Sequence, residues 1–528
     1  MGQGRSLEAA PPALLILASP PTVSLNSSLT PTLGLLLAAA LGAGADASPQ
    51  APRQLPGVSL RTLLGRPGGN PRSMSPQQLR TSQATTAWLT SIAMPAIAAP
   101  VFIPGVWGTA YLLKLFVPQT GNEEVFPLHV PDSPAGQARP LLVGFHSYGV
   151  SHLDFSYYNT SFLSEADARD WFVLAPIQIN PLVPNGNGVP TGDLSYGAAE
   201  SQLNVEAVMD YVLSHWPIDR DRVYGVGFSM GGGNALSYGA RHRNRVGGAF
   251  AAIVNHTGAI NGGVVWNEEP GIQAPLETTF GGPPPRFEYQ RASLIDVSLA
   301  PAADYSLIPG GRHMAANLVG VPVRTYYYAG DPLVYLRTLS DRLDTFMSGD
   351  PTLSHELVVE LTPPSCPPNT STADHCWALI DEASVCDWLS LHTLEAAPPR
   401  GELLADRDAR WGGLEVELHQ QGSFGAAAYD ISSSPPTVQL LGRENLARAA
   451  VDLEAYGLDP SAGFGLVTSG ADPLGTEFVF SDVSAPPSQV TRETVTVAPA
   501  CPLPVGAKPP AWCYDAATRQ LRIWEGGA

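Results

Sequence analysis

The stretch Tyr224-Gly225-Val226-Gly227-Phe228-Ser229-Met230-Gly231-Gly232 constrains this chain more than any other. Val223 to Val226 is a short apolar run that reads as a buried strand, and Asn234 to Arg241 reads as the start of a helix. Between them lies Gly-x-Ser-x-Gly, filled by Gly227, Ser229 and Gly231. A strand passing into a helix through so few residues must turn sharply, with strained backbone at the bend. The glycines leave room for other backbone to approach, and the helix aims unpaired N–H groups at the same point. The pattern predicts a serine hydroxyl lifted out of a sheet, beside a place where negative charge can be held.

The chain has 528 residues, enough for two or three domains with sizeable cores. With 44% hydrophobic and 15% charged residues it is globular in composition. Its net charge is −19 and its only lysines are Lys114 and Lys508, which argues against nucleic acid and against anionic membrane surfaces as partners. The five cysteines all lie in the last third. Cys501 and Cys513 bracket a Pro-rich loop and form a plausible local bridge. A helix over His375 to Leu391 would place Cys376 and Cys386 about 15 Å apart along its axis, out of bridging reach of each other. Cys366 could pair with either, leaving one thiol free. No Cys-x-x-Cys or His/Cys spacing of metal type is present, so no metal is expected.

Residues 1–47 read as a leader: Leu33 to Ala45 is an unbroken apolar and small-residue run ending in small-x-small patterns at Ala43-Gly44-Ala45 and Ala45-Asp46-Ala47. Together with the cysteines this predicts export to an oxidising compartment, secreted or periplasmic. Residues 48–87 read as a linker. Trp88 to Leu113 carries no charge, but Pro95, Pro100 and Pro104 interrupt it, so buried extended chain is expected rather than a stable membrane span.

From there strands and helices alternate, which implies a mostly parallel sheet covered on both faces. Strands are expected at Leu141 to Phe145, Trp171 to Ile177, Val223 to Val226, Gly248 to Val254, Val321 to Tyr328 and Glu356 to Leu361. Helices are expected at Gly197 to His215 and after the elbow. This order resembles an α/β-hydrolase domain. The wording Ile218-Asp219-Arg220-Asp221-Arg222-Val223-Tyr224 leading into Gly-Phe-Ser-Met-Gly-Gly is similar to secreted serine esterases of the polyester-depolymerase and acyl-esterase type. The α/β fold so implied covers residues 88–397, with 258–318 as an insertion or lid carrying Trp266, Phe280, Phe287 and Tyr289.

A serine hydroxyl needs a base, and the base needs a carboxylate that fixes its tautomer. The resemblance implies the chain order serine, acid, histidine. Asp331, in the turn after the strand Val321 to Tyr328, is the candidate acid. Asp341 and Asp344 read as a solvated helix face, and Asp304 precedes the strand. Among His355, His375, His392 and His419, His375 lies in the loop after the last strand, where the resemblance places the base. For the oxyanion, one N–H is expected from Met230 and the other from the loop His146-Ser147-Tyr148-Gly149, where Ser147 departs from the esterase His-Gly-x-Gly pattern. Tyr148 is the candidate donor and Ser147 the alternative, with His146 structural. Asn255-His256-Thr257 either shapes a pocket or forms a hydrogen-bonded turn.

Beyond Pro398 the texture becomes alternating, as at Leu414-Glu415-Val416-Glu417-Leu418, with Gly, Pro, Ser and Asp between runs. Residues 398–528 are therefore expected to form an all-β accessory domain, a β-sandwich that either binds a polymer or packs on its neighbour. The chain as a whole predicts a secreted serine hydrolase acting on small-molecule or polymeric esters through an acyl-enzyme, with no cofactor. The alternatives are a serine peptidase or amidase of prolyl-oligopeptidase-like type and a non-catalytic binding protein on the same fold.

Overall fold

The computed structural model describes residues 13–17 and 110–525, apart from 132–135, 153, 156–159, 185–189, 193, 245, 298–310, 368–371, 395–396, 460, 462, 471–473, 493–494, 498, 502 and 504–509. The apolar run at 33–45, the linker and Asp304 lie outside the described residues.

One sheet organises the first part of the chain. Its eight strands lie in the order His355–Glu360, Val323–Tyr328, Ala252–His256, Ile218–Phe228, Arg139–Phe145, Phe172–Leu174, Asn122–His129 and Ala110–Val117. The first six are mutually parallel, Asn122–His129 runs antiparallel to them, and the edge strand Ala110–Val117 runs antiparallel to Asn122–His129. Central strands such as Arg139–Phe145 are almost wholly buried, because helices cover both faces. This is an α/β-hydrolase fold, with Ser229 on the turn after the strand that stands fifth in chain order.

Several boundaries differ from expectation. The elbow strand runs Ile218–Phe228, and the helix begins at Met230 directly after the serine. The antiparallel pair Ala110–Val117 and Asn122–His129 was not anticipated; the first of these takes up the end of the charge-free stretch. Their periodicity is blurred by burial on both faces. No helix among the described residues is long and apolar enough to cross a membrane. The expected closing helix is shorter, Glu382–Ser390, and a single 3₁₀ turn occupies Trp377–Leu379. Asp381 caps the shorter helix through the Ser384 N–H, so Cys376 sits in the preceding loop, not on a helix with Cys386. That freedom lets Cys376 bridge Cys366, while Cys386 stays buried and unpaired.

The C-terminal region is all-β. Two sheets of seven and six strands pack face to face around Leu414, Val416, Leu440, Phe478, Phe480 and Ile523. The strictly alternating run forms a strand at Leu414–Leu418, as its period dictates. Cys501 and Cys513 are bridged. Ala13–Leu17, within the stretch read as a leader, lies between Gly465–Thr468 and Gln489–Arg492, antiparallel to both.

This domain packs on the hydrolase domain and shares its core through Leu404, Phe424 and Ala426. Asn317 pairs with the Leu404 backbone in both directions, at 2.8 and 2.9 Å. The Phe287 and Phe424 rings meet at 5.0 Å. Asp406 lies 3.4 Å from Arg241 and 3.3 Å from Arg291. The insertion contributes helices Gly262–Glu268, Gln273–Phe280 and Phe287–Ala292. Phe280 and Tyr289 form a small core with Tyr196 and Met230, which opens the elbow helix.

Candidate active site

Ser229 sits at φ 55° and ψ −119°, a conformation that costs a non-glycine residue on the order of 1–3 kcal/mol. Three backbone hydrogen bonds hold it there. Its N–H donates to the His256 carbonyl at 2.9 Å, and its carbonyl accepts from Gly233 at 3.2 Å and Ala259 at 3.0 Å. The flanking glycines are required by close approach. A Cβ at Gly227 would overlap the Gly231 carbonyl, and one at Gly231 would overlap the carbonyl oxygens of Phe145 and His146. The elbow therefore presses directly on the loop that follows Arg139–Phe145.

His375 Nε2 lies 3.0 Å from Ser229 Oγ, and its Nδ1 lies 2.7 Å from Asp331 Oδ2. Asp331 is 2% exposed and His375 9% exposed, so this chain of hydrogen bonds is shielded from competing water. The other Asp331 oxygen accepts the Leu333 N–H at 2.9 Å, which orients the carboxylate. The His375 ring lies on Phe228 at 4.6 Å between centroids, with Trp377 at 5.3 Å from the same phenyl ring. The Cys366–Cys376 bridge ties down the residue next to His375. The three residues named from sequence thus meet at one hydroxyl.

The other candidates are engaged elsewhere. His355 lies between Thr325 Oγ1 at 2.9 Å and Asp344 at 2.9 Å, so Asp344 is not simply solvated. Asp341 accepts the Tyr327 hydroxyl at 2.7 Å. His392 uses its carbonyl to accept Tyr224 Oη, and His419 contacts the Gly475 carbonyl in the β-sandwich.

Met230 opens the elbow helix, so its N–H has no partner within that helix. Tyr148 is 43% exposed, its ring 6.3 Å from that of Tyr196. Ser147 is turned away: its hydroxyl and N–H face Asp154 Oδ2 at 3.1 and 3.4 Å. His146 is fully buried, with its ring nitrogens against the carbonyls of Ser147 and Ile177, a structural placement.

Asn255 and His256 are buried as the last residues of the strand Ala252–His256, which runs further than expected, and Thr257 just beyond it donates Oγ1 to the Tyr326 carbonyl at 3.1 Å. His256 also packs on Phe228, at 4.5 Å between ring centroids. Burial, and then the neighbouring His375, hold its pKa well below the usual value for histidine, which keeps a second positive charge away from the site. The sequence reading did not include Asp154 or Trp377 in the site. No local pattern marks them as a pair, since the bond that joins them spans 223 residues. Among the described residues no group of three or more His, Cys, Asp or Glu side chains is placed to hold a metal ion.

The mostly parallel sheet, the strained serine at its rim and the imidazole–carboxylate pair define a chain of α/β-hydrolase fold. No family model matches the sequence, and no curated protein does. Similar solved structures include an S-formylglutathione hydrolase from Staphylococcus aureus, 15% identical, covering 48% of this chain and 91% of that one, with a TM-score of 0.33. Another is an S-formylglutathione hydrolase from Agrobacterium tumefaciens, 13% identical, covering 57% and 100%, with a TM-score of 0.37. A third is a thermophilic esterase from Thermogutta terrifontis with propionate bound, 13% identical, covering 55% and 96%, with a TM-score of 0.35. These likenesses are distant.

Proposed function

We propose that this chain is a serine hydrolase that cleaves carboxylic esters. The observation that carries the reading is the continuous contact from Asp331 through His375 to Ser229 Oγ, at 2.7 and 3.0 Å. In this reading His375 Nε2 takes the proton of Ser229 as Oγ attacks the ester carbonyl. Asp331 holds the tautomer with the proton on Nδ1 and stabilises the imidazolium. The carbonyl oxygen becomes an oxyanion held by the N–H groups of Met230 and Tyr148. His375 then protonates the leaving alkoxide, and the acyl group remains on Ser229. Water, deprotonated by His375, releases the acid and restores the serine. No cofactor enters these steps.

Two bridged cysteine pairs support assembly in an oxidising compartment, and export, secreted or periplasmic, belongs to the proposal. So does the division into a leader at 1–47, from which Ala13–Leu17 pairs into the accessory domain's sheet, a linker at 48–87, a catalytic domain at 88–397 with its insertion at 258–318, and an accessory domain at 398–528.

The test is labelling with a fluorophosphonate probe, wild type beside Ser229→Ala, followed by panels of short-chain, long-chain and polymeric esters and of peptides. Label on Ser229 with ester turnover is the expected result. Label with peptide cleavage alone would move the assignment to a peptidase or amidase. Absence of both label and turnover would leave a binding protein on a silent fold.

A further inference from the structure

Asp154 belongs neither to the serine–histidine–aspartate set nor to the oxyanion donors, yet one of its oxygens joins the loops that carry them. Asp154 Oδ2 accepts the Trp377 indole N–H at 2.9 Å, the Ser147 hydroxyl at 3.1 Å and the Ser147 N–H at 3.4 Å. Ser147 adjoins Tyr148, the candidate oxyanion donor. Trp377 lies two residues beyond His375 and next to the bridged Cys376. Asp154 is 3% exposed and Trp377 2% exposed, so water does not compete for the bond between them, while the two Ser147 bonds are part-buried. The Trp377 ring is held edge-on by Phe155 at 5.6 Å and Phe162 at 6.1 Å, and lies 5.3 Å from Phe228, the neighbour of Ser229.

The two loops follow different strands of the sheet, Arg139–Phe145 and His355–Glu360, and the sheet alone does not set their separation. An ionised carboxylate bound by several donors makes hydrogen bonds roughly twice as strong as neutral pairs. Here it acts as a fixed post between the loops. It also draws the Ser147 N–H toward itself, which leaves Tyr148 as the donor that this loop presents.

We propose that Asp154 is a positioning residue: through Ser147 and Trp377 it sets the distance between the oxyanion donor and the imidazole base. This rests on the ester-hydrolase reading above. The oxyanion forms only as the reaction proceeds, so loosening the post lowers kcat more than it raises KM. A misplacement near 1 Å costs about 100-fold.

The experiment compares full-length wild type with Asp154→Asn, Asp154→Ala, Trp377→Phe and the Asp154→Asn/Trp377→Phe double variant. It measures kcat and KM on a short-chain nitrophenyl ester, the fraction of Ser229 titrated by a fluorophosphonate, and the thermal midpoint. Trp377→Phe removes the indole donor but keeps an aromatic ring, so it reports on the hydrogen bond if the Asp154 variants fold poorly. Expected are losses in kcat per titrated serine of roughly 10- to 100-fold for Asp154→Ala and Trp377→Phe, with KM little changed. Asp154→Asn, which keeps one acceptor oxygen, falls between wild type and Asp154→Ala. The double variant is no slower than the worse single one, since both break one link. Wild-type kcat per titrated serine in Asp154→Ala and Trp377→Phe would overturn the proposal. So would a loss seen only as a lower titrated fraction, which is the mark of a purely structural role. Wild type that neither labels nor turns over ester would instead overturn the hydrolase reading, and Asp154's role with it.

Discussion

Replacing Asp331 with Asn tests the site most sharply, because the structure fixes which way the new amide must point. One carboxylate oxygen accepts the Leu333 N–H at 2.9 Å and the other faces His375 Nδ1 at 2.7 Å. An asparagine has one acceptor and one donor end. The Leu333 N–H can only donate, so the amide oxygen must occupy that position and the NH₂ must face His375. Nδ1 then becomes an acceptor and the ring proton moves to Nε2, the nitrogen 3.0 Å from Ser229 Oγ. A protonated Nε2 cannot take the serine proton, so the base is lost while every heavy atom keeps its place. Such a tautomer reversal costs about 10⁴ in kcat, or about 5.4 kcal/mol at about 1.36 kcal/mol per tenfold. The assay is single-turnover acylation by a nitrophenyl ester, with thermal unfolding as a control for the fold. Asp331→Ala forces no tautomer but leaves the part-buried Leu333 N–H without its acceptor, so it should unfold at lower temperature yet acylate no more slowly than Asp331→Asn. A value for Asp331→Asn within tenfold of wild type, with the fold intact, would refute the reasoning.

Two further outcomes are expected. The Cys366–Cys376 bridge closes a separation of 10 residues beside His375, so Cys376→Ser should lose roughly 2–3 kcal/mol of loop constraint and show it as a lower kcat. Cys501→Ser, in the other domain, serves as the control, and equal activity in both variants would count against the bridge as a brace for the base. Asp406→Ala should destabilise the chain by about 3–5 kcal/mol, because it leaves Arg241 and Arg291 facing each other without their buried counter-charge. Burial pushes the Asp406 carboxyl up, but Arg241, Arg291 and Arg407 together push it further down, so its pKa lies below the ordinary value. Its contribution is therefore present above the unfolded-state pKa of about 3.9 and is lost as pH falls through the lower folded value. Urea unfolding at pH 7 and pH 3 should show the gap between wild type and Asp406→Ala narrowing in acid; a gap that widened would refute the assignment.

What could be read from the sequence is what depends on neighbours in the chain. The elbow was legible because Gly-x-Ser-x-Gly between an apolar run and a helix is a local steric statement, and the helix start at Met230 and the positive φ at Ser229 express it. Central strands such as Arg139–Phe145 were visible as continuous apolar runs, and Leu414–Leu418 as a strict alternation. Asp331 and His375 could be named because the turn and the loop that carry them follow recognisable strands, at the places where the resemblance to α/β-hydrolases implies an acid and a base. The tertiary structure alone decided what crosses the chain. It brought Ser229 and His375 together over 146 residues, chose Cys376 over Cys386 as the partner of Cys366, and turned Ser147 toward Asp154. It also seated the β-sandwich on the hydrolase core through Asn317, Phe424 and Asp406. The reason is physical. Periodicity and turn chemistry act over a few residues. A hydrogen bond between distant loops forms only once the packed sheet has brought them within 3 Å of each other, and nothing in either loop's own composition records that it will.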